Sequence, residues 1–291
     1  MSALRIRYPA AKAMLAPTVL IMAVCFYGAI LWTIYISFTR SGLVPNYSFA
    51  GIGQYVRLFG TARWHTAFSN MFVFGGLFIV GALLFGTLLA VLIDQKVRFE
   101  GAFRTVFLYP LSMSFIVTGL AWRWFLNPTM GLQDFVRDLG WESFTFDWIV
   151  DRDRAIYTLV VAAIWHSSGL IMAIMLAGLR GIDHEIWRAA RVEGIPRWRT
   201  YVSIVLPMLR PLIVTCFVLL AIAVVKSYDL VVAMTNGGPG NATDMPAKFV
   251  VDLTFERANV GLASAGAVIM LTAVLAALAP YLYIELGRRN R

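Results

Sequence analysis

Residues 181–211, GIDHEIWRAARVEGIPRWRTYVSIVLPMLRP, form a long polar segment with clear helix start and stop signals, and apolar runs flank it on both sides. Asp183 suits the N-cap of a helix, because its carboxylate can accept hydrogen bonds from the amides of the first turn. Gly194 suits the left-handed position just past a helix end. Pro196 stands where that helix cannot continue, and it fits the first turn of a second helix. The segment therefore predicts a short helix at about 184–193.

The two faces of this predicted helix differ in chemistry. The apolar stripe consists of Ile182, Ile186, Ala189 and Ala190. The charged stripe, with one residue at every third position, consists of Glu185, Arg188 and Arg191. The small side chains of Ala189 and Ala190 would let a partner approach the backbone closely. Amphipathicity alone leaves two interpretations open, a surface helix that lies on the membrane face and a docking element for another protein, and it favours the first.

The composition of the chain is that of a polytopic membrane protein. Hydrophobic residues make up 59% of the 291 residues, charged residues only 14%, and the mean hydropathy is +0.73. Soluble domains are typically far less apolar. The net charge of +9 comes from clustered Lys and Arg, and their distribution indicates membrane topology instead of nucleic-acid binding. Cys25 and Cys216 both lie in apolar runs, so the sequence implies neither a disulfide framework nor a metal site.

Six apolar runs are long enough to cross a bilayer core of about 30 Å as helices. They lie at about 14–38, 68–93, 103–126, 156–178, 208–230 and 261–284. The first run follows Arg5, Arg7 and Lys12. A signal peptide would have a shorter apolar region and a small-residue cleavage site after it, so we expect an uncleaved first span. The predicted fold is all-α, a single transmembrane domain over 1–291 with six spans and the polar 181–211 loop between spans four and five.

The distribution of positive charge predicts the orientation of these spans. With the N-terminus inside, the inner segments hold 15 Lys and Arg and the outer segments hold 9, while Lys226 lies within a span. Cytoplasmic segments of membrane proteins carry the excess of Lys and Arg. Both termini and the 181–211 loop are therefore predicted to be cytoplasmic.

Lys226 and Asp229 interrupt the fifth apolar run. Ionisable groups at this depth are costly, so they face a protein interior or a wet cavity and find partners. In an intact helix the two residues, three positions apart, could pair with each other and merely close the helix end. Alternatively, they could bond the hydroxyls of a sugar while Tyr228 packs against its ring. The residues alone leave these two interpretations open.

A His-Ser-Ser run, His166 to Ser168, lies inside the fourth apolar run. A hydrolase would need a nucleophile, a base in reach and an oxyanion site. His and Ser are adjacent here, no G-x-S-x-G sequence occurs, and no matching acid is evident. Because serine hydroxyls inside helices usually bond the carbonyls of the preceding turn, we favour a packing role, with a role in lining a pathway second.

Three sequence motifs together resemble one family. R-A-A-x-x-E-G at Arg188–Gly194 is followed by I-x-L-P at Ile204–Pro207 and by Pro211, and two further signatures are WRWFLNP at 122–128 and TNGGPG at 235–240. The first motif resembles the "EAA" loop of permease subunits from binding-protein-dependent ABC importers. The three motifs together resemble, more narrowly, the maltose-type carbohydrate permeases. The chain departs from the family pattern at three positions. These are Arg188 for Glu, Glu193 for Asp and Ile195 for Ala.

The resemblance implies a membrane-spanning permease subunit that imports a sugar or glycoside across the bacterial inner membrane. It implies a coupling helix at 184–193, docked in a cleft of a cytoplasmic ATPase, with contacts from Glu185, Arg188, Ala189, Ala190, Glu193 and Gly194. It also implies a substrate pathway along the fifth span, which carries Lys226, Tyr228 and Asp229. The implied partners are a second homologous permease, two ATPase subunits and an extracytoplasmic sugar-binding protein.

The chain itself would be neither an enzyme nor a cofactor-binding protein. No Walker A sequence occurs in it, so ATP and Mg²⁺ would bind the partner ATPase. The alternative function is a gradient-driven secondary carrier, which would contain inverted repeats with paired broken helices. No convincing second copy of the Lys226–Asp229 break is visible in the sequence. An intramembrane enzyme is disfavoured for the reasons given at His166.

Overall fold

A computed structural model describes residues 9–95 and 97–289, with side chains over 14–95 and 97–276. Arg5, Arg7, Lys96 and Arg291, which enter the charge count above, lie outside the described residues. Within the described part the chain is helical and contains no strand, apart from one isolated β-bridge between Thr39 and Phe49. The prediction of an all-helical chain is therefore confirmed.

The helices are joined by connections of different length, of which the longest follow α2 and α7. In chain order they are α1 (Pro9–Met22), α2 (Gly28–Ser37), α3 (Gly53–Phe59), α4 (Ala62–Asp94), α5 (Glu100–Leu108), α6 (Phe115–Phe125), α7 (Leu132–Asp138), α8 (Ala155–Arg180), α9 (His184–Val192), α10 (Arg197–Thr200), α11 (Leu206–Met208), α12 (Arg210–Val225), α13 (Tyr228–Met234), α14 (Pro246–Phe255) and α15 (Val260–Arg289). A π-helical turn, Ala23–Tyr27, joins α1 to α2, and a second one, Tyr201–Val205, joins α10 to α11.

The chain divides into two compact units. The first holds the described residues of Met1–Thr61 and Val250–Thr272. Its loop after α2 is held by hydrogen bonds, since the side-chain amide of Gln54 donates to the carbonyl of Thr39 at 2.8 Å. Most large apolar side chains of α1 and α2 are exposed, as expected for a surface that meets lipid or another apolar partner.

The second unit holds the described residues of Ala62–Phe249 and Ala273–Arg291, and α4 and α8 are packed together at its centre. Two thirds (67%) of the apolar stretch of α8 is buried, against 33% of that of α4. Glycines allow the two helices to approach closely. A Cβ at Gly86 would lie only 2.6 Å from the Cβ of Ile171 and 2.9 Å from the carbonyl oxygen of Ser168. The helix α8 is therefore the core helix of this unit.

The third apolar run is not one helix, which corrects the prediction of a continuous span at about 103–126. A 3₁₀ turn at Tyr109–Ser112 follows α5, and α6 continues at an angle of 102° to the preceding segment. Pro110 has no amide hydrogen to continue the helix. The hydroxyl of Ser114 then caps α6 by accepting a hydrogen bond from the amide of Val117 at 3.3 Å.

The fifth run is also interrupted, so the span predicted at about 208–230 is not one continuous helix. Helical structure begins earlier, and the segment Arg197–Met208 meets α12 at 71°. A second break follows α12, because Lys226 and Ser227 leave helical geometry, with ψ angles of 13° and 35°.

Three of the described helices are long and apolar enough to cross a membrane, or up to five if each bent pair counts as one span. They include α4 and α8, together with the segment Met14–Ser37 that α1 and α2 form. The bent pairs are those of the third and fifth runs. The described apolar part of α15, Val260–Ala276, is shorter.

Candidate functional site

The helix α9 is capped at both ends by its own residues. The Asp183 carboxylate accepts a hydrogen bond from the amide of Glu185 at 2.9 Å, so the predicted N-cap is confirmed. Gly194 has the predicted left-handed conformation, with φ of +70°. The amide of Ile195 then closes the end of the helix by donating to the carbonyl of Ala190 at 3.0 Å. The helix ends at Val192, one residue earlier than predicted.

Pro196 lies just before the second helix instead of within its first turn. Its ψ of 145° is extended, and α10 begins at the next residue, Arg197. This corrects the predicted position by one residue. The turn between α9 and α10 is consequently only four residues long, from the C-cap Glu193 to Pro196.

Most of the apolar stripe of α9 packs against its own chain, while the charged stripe is exposed. Ala190 is only 4% exposed, which corrects the expectation that both alanines are open to a partner. Ala189 is exposed, as are four further residues of the predicted contact set: Glu185, Arg188, Glu193 and Gly194. Arg188 forms no ion pair with any described residue, so its guanidinium is available to another molecule.

Two large apolar side chains near α9 are exposed and were missed by sequence reasoning. Val192 is 88% exposed at the end of α9, and Trp198 is 70% exposed on α10. Exposed aromatic and aliphatic residues among arginines are typical of protein contact surfaces. The available signal in the sequence was a Trp that stands between Arg197 and Arg199.

An aromatic and polar network ties α9 to the end of α4. The rings of Trp187 on α9 and Tyr201 have centroids 5.0 Å apart in a T-shaped arrangement. The Tyr201 hydroxyl donates to the Asp94 carboxylate at 3.0 Å and accepts from the Gln95 side-chain amide at 2.9 Å. Tyr201 is 9% exposed, so the network is largely shielded from water. The orientation of α9 is therefore linked to α4.

A salt bridge joins the end of α8, just before α9, to the start of α5. The Arg180 guanidinium lies 2.8 Å from the Glu100 carboxylate, and Arg104 lies 3.7 Å from the same carboxylate. Both pairs are partly exposed to solvent, so they contribute little to the stability of the fold. Their main effect is to fix the positions of the helix ends that they join. The end of α8, which leads into α9, is thus tied to the start of α5.

A cavity of about 300 Å³ lies beside the break in the fifth run. Its apolar lining consists of Phe74, Phe78, Phe115, Ala163, Leu219, Ile222, Ala223 and Leu230. Its polar lining consists of Lys226, Ser227 and Asp229. The cavity thus has aromatic rings on some sides and hydrogen-bonding groups on another. A polyhydroxylated ring can pack its apolar faces on such aromatic rings and bond its hydroxyls to the polar groups.

Lys226 and Asp229 do not pair with each other, which corrects the interpretation of a self-satisfied helix end. The helix is broken between them, and neither side chain forms an ion pair with the described residues. Both are exposed and line the cavity, so the structure brings these two predicted pathway residues together. Tyr228 is half-buried and is not part of the lining of this cavity.

Two side chains of the His-Ser-Ser run form hydrogen bonds to neighbouring helical residues. The Nδ1 atom of His166 lies 3.0 Å from the hydroxyl of Thr118, and the hydroxyl of Ser168 donates to the carbonyl of Trp165 in its own helix at 3.2 Å. Among the described residues, no group of three or more His, Cys, Asp or Glu is placed to hold a metal ion.

The TNGGPG sequence forms a compact turn, as predicted, with left-handed backbone at Asn236, Gly237 and Gly240. Sequence reasoning missed its buried neighbour Asp244. This carboxylate, 1% exposed, forms an ion pair with Arg63 on α4. The side-chain amide of Asn70 also donates to the carbonyl of Asp244 at 3.0 Å. The turn is therefore fastened to the first three turns of α4.

Comparison with known proteins places this chain in a family. Residues 82–290 match the model of the binding-protein-dependent transport system inner membrane component. A probable ABC transporter permease of Pyrococcus horikoshii is 38% identical over 92% of this chain and 93% of its own length. A xylose/arabinose import permease of Haloferax volcanii is 32% identical over 91% of this chain and 84% of its own length.

The fold has been seen in a solved structure. A chain of a bacterial ABC transporter involved in the import of the acidic polysaccharide alginate superimposes with a TM-score of 0.82 over 96% of this chain and 95% of that chain, at 19% identity. The likeness shows a shared fold. Together with the family match over most of the sequence, it establishes that this chain belongs to the inner membrane components of binding-protein-dependent transport systems.

Proposed function

We propose that the chain is the permease subunit of an ABC importer that moves a sugar or glycoside across the inner membrane. The family membership and the sugars in the name of the Haloferax relative support the substrate class. The observation that carries the coupling part of the proposal is α9 itself. It is capped at both ends, exposes its charged stripe, and is linked through Tyr201 to α4.

The proposed membrane arrangement has six spans, with both termini and α9 on the cytoplasmic side. The segment Met14–Ser37, α4 and α8 each form one span, the bent pairs of the third and fifth runs form two more, and α15 forms the sixth. The excess of Lys and Arg on the inner side supports this orientation. In it, α9 faces the compartment that contains ATP.

The proposed mechanism separates ATP hydrolysis from transport. The sequence lacks a Walker A motif, so ATP and Mg²⁺ bind the partner ATPase subunits, and α9 receives their motion through Arg188, Ala189 and Gly194. A second permease completes the pathway, and a sugar-binding protein delivers substrate from outside. The α9 helix moves as a lever, and rigid-body rotation of the spans alternates access to the cavity at Lys226 and Asp229.

The first test is to identify what co-purifies with the tagged chain when its chromosomal neighbours are co-expressed. A Walker A ATPase and a second permease are expected. Uptake of radiolabelled xylose, arabinose and maltose into proteoliposomes should then require ATP on the ATPase side. Uptake by the chain alone, driven by a proton or sodium gradient without ATP, would show a secondary carrier instead.

Gly194→Val tests the coupling role of the turn after α9. A β-branched residue at φ of +70° is strained by about 1–3 kcal/mol, so the turn should rearrange and ATP-driven uptake should fall about tenfold or more. Gly140→Val is the matched control, since Gly140 also has a positive φ, +101°, and neither glycine has a neighbour within 4 Å of an added Cβ. Gly140 follows α7, away from α9 in the sequence. Equal uptake by both variants, each inserted at wild-type levels, would remove the coupling role.

A gradient-driven carrier is the second candidate, and one finding bears on it. Among the described residues, the third run is broken at Tyr109–Ser114 and the fifth run is broken before Arg210 and again at Lys226–Ser227, where the sequence showed only the last of these. Broken helices are typical of carriers. These breaks, however, occur in a chain whose family is defined by binding-protein-dependent transport. The importer is therefore the function that we propose.

A further inference from the structure

One turn of α8 contacts the broken third run on both sides of its break. On the side before the break, Gly169 faces the end of α5. A Cβ at this position would overlap the carbonyl oxygen of Phe107 and would lie 3.1 Å from the Cα of Leu108. The backbone of α5 therefore approaches α8 at a place where a side chain is absent, directly before the 3₁₀ turn.

On the side after the break, His166 faces the start of α6. Its Nδ1 atom lies 3.0 Å from the hydroxyl of Thr118, and its ring centroid lies 4.1 Å from that of Phe115. Thr118 is fully buried and His166 is 5% exposed. Because water cannot replace either partner there, the hydrogen bond has a strong preference for this one arrangement.

This contact bears on the cavity because Phe115 lines it. The same cavity contains Lys226, Ser227 and Asp229. The helix α6 is also packed against α13, since a Cβ at Gly119 would lie 2.7 Å from that of Ala233. A shift of α6 relative to α8 would therefore move the aromatic wall, and through α13 it would disturb the polar wall as well.

We propose that Thr118 and His166 are positioning residues for the substrate cavity. Their hydrogen bond fixes the bend between α5 and α6 and thereby sets the place of Phe115 relative to Lys226 and Asp229. Neither residue lines the cavity, so both act through Phe115. The inference rests on the proposed function in that it takes this cavity to be the one that receives the sugar.

The transport test uses the purified complex in proteoliposomes, with radiolabelled xylose, arabinose and maltose as probes. Thr118→Val keeps the shape of the side chain and removes the hydroxyl. We expect the KM for uptake to rise about two- to tenfold, the range that the loss of one neutral hydrogen bond gives, while kcat stays within about twofold. Thr118→Ser, which retains the hydroxyl, should restore the KM.

Thr158→Val is the matched control. Thr158 is 2% exposed on α8, and its hydroxyl donates to the carbonyl of Ala155 at 2.6 Å in the same helix, so the change removes a buried hydroxyl away from the break. Its KM should equal that of the wild type. If Thr118→Val does not assemble, His166→Phe, which keeps a ring over Phe115, is measured in its place.

A second measurement needs no transported sugar. Cysteine is introduced at Ser227, in the cavity wall, after Cys25 and Cys216 have been replaced by serine. Thr118→Val should raise the rate at which a membrane-impermeant thiosulfonate labels this cysteine by about threefold or more, because the wall opens more often. Thr158→Val should leave the rate unchanged.

The two measurements separate this proposal from the function on which it rests. If the wild-type complex takes up no probe with ATP, the importer assignment fails, while the labelling rates still decide the role of Thr118. If uptake is ATP-driven but Thr118→Val has the wild-type KM and the wild-type labelling rate, the positioning role is wrong. A fall in kcat at unchanged KM would also overturn it, since that outcome places the bond in coupling instead of in the cavity.

Discussion

Two glycines on α4 provide a matched pair that tests the packing of the transmembrane core. Gly86 is buried against α8, where an added Cβ would lie 2.6 Å from the Cβ of Ile171 and 2.9 Å from the carbonyl oxygen of Ser168. Gly76, on the same helix, has no atom within 4 Å of an added Cβ. Changing each to alanine therefore adds the same methyl group to the same helix in two different surroundings.

The expected effects have opposite signs. Each change gains about 0.5–1 kcal/mol from the better helix propensity of alanine. At Gly86 the new methyl must move to the usual carbon–carbon distance of about 3.5–4.0 Å, which separates α4 from α8 by about 1 Å. Overpacking of this kind typically costs about 1–3 kcal/mol. Gly86→Ala should therefore be about 1–3 kcal/mol less stable than Gly76→Ala.

The assay is thermal unfolding of the detergent-solubilised complex, followed by the amount of intact material in size-exclusion chromatography after heating. The difference in free energy corresponds to an apparent Tm about 2–10 °C lower for Gly86→Ala than for Gly76→Ala. If Gly86→Ala is as stable as Gly76→Ala, then α4 and α8 are not in close contact at Ser168 and Ile171.

Two further predictions address the site. Tyr201→Phe keeps the ring against Trp187 and removes the hydroxyl that donates to Asp94, so it should raise the ATP consumed per sugar transported. A double-mutant cycle with Asp94→Asn should give an interaction energy of about 1–2 kcal/mol. Strictly additive effects would show that this hydrogen bond carries no coupling. Lys226→Met and Asp229→Asn should each raise the KM for sugar by about tenfold or more, since a hydrogen bond to a charged group is worth ~1.5–3 kcal/mol. An unchanged KM in both variants would return these residues to a purely structural role.

The features of α9 that could be predicted are those that depend on neighbouring residues. An N-cap needs only Asp183 and the amides that follow it, and a left-handed helix end needs only a residue such as Gly194. Whether an alanine on that helix faces a partner or its own chain depends on tertiary packing. The sequence therefore predicted the start and the terminating turn of α9 and did not predict that Ala190 is buried.

The breaks within the apolar runs were harder to predict because hydropathy does not report them. Pro110 lies inside the third run, and its missing amide hydrogen ends α5, yet the run remains apolar on average. Polar groups freed at such a break need partners inside the protein, and Ser114 supplies one of them. The Lys226–Asp229 interruption was visible because it contains charges, whereas the proline break was read as part of a continuous helix.

Contacts between residues far apart in the chain carried no sequence signal. Tyr201 and Asp94 are separated by 107 positions, and Thr118 and His166 by 48. Many hydroxyls and imidazoles could pair in a chain of this size, and periodicity does not select among them. For this reason the sequence identified His166 as unusual without identifying Thr118 as its partner.

The contact between Trp187 and Tyr201 decides how this permease could be recombined with another transporter. A chimera in which only the helix His184–Val192 is replaced would keep the caps at Asp183 and Gly194. It would, however, place a foreign side chain against Tyr201. The smallest self-consistent cassette is therefore residues 183–201, with the acceptor at position 94 matched to the incoming ring. To connect such an importer to a different ATPase, the whole segment 183–201 should be moved together, and an acidic residue should be kept at the end of α4.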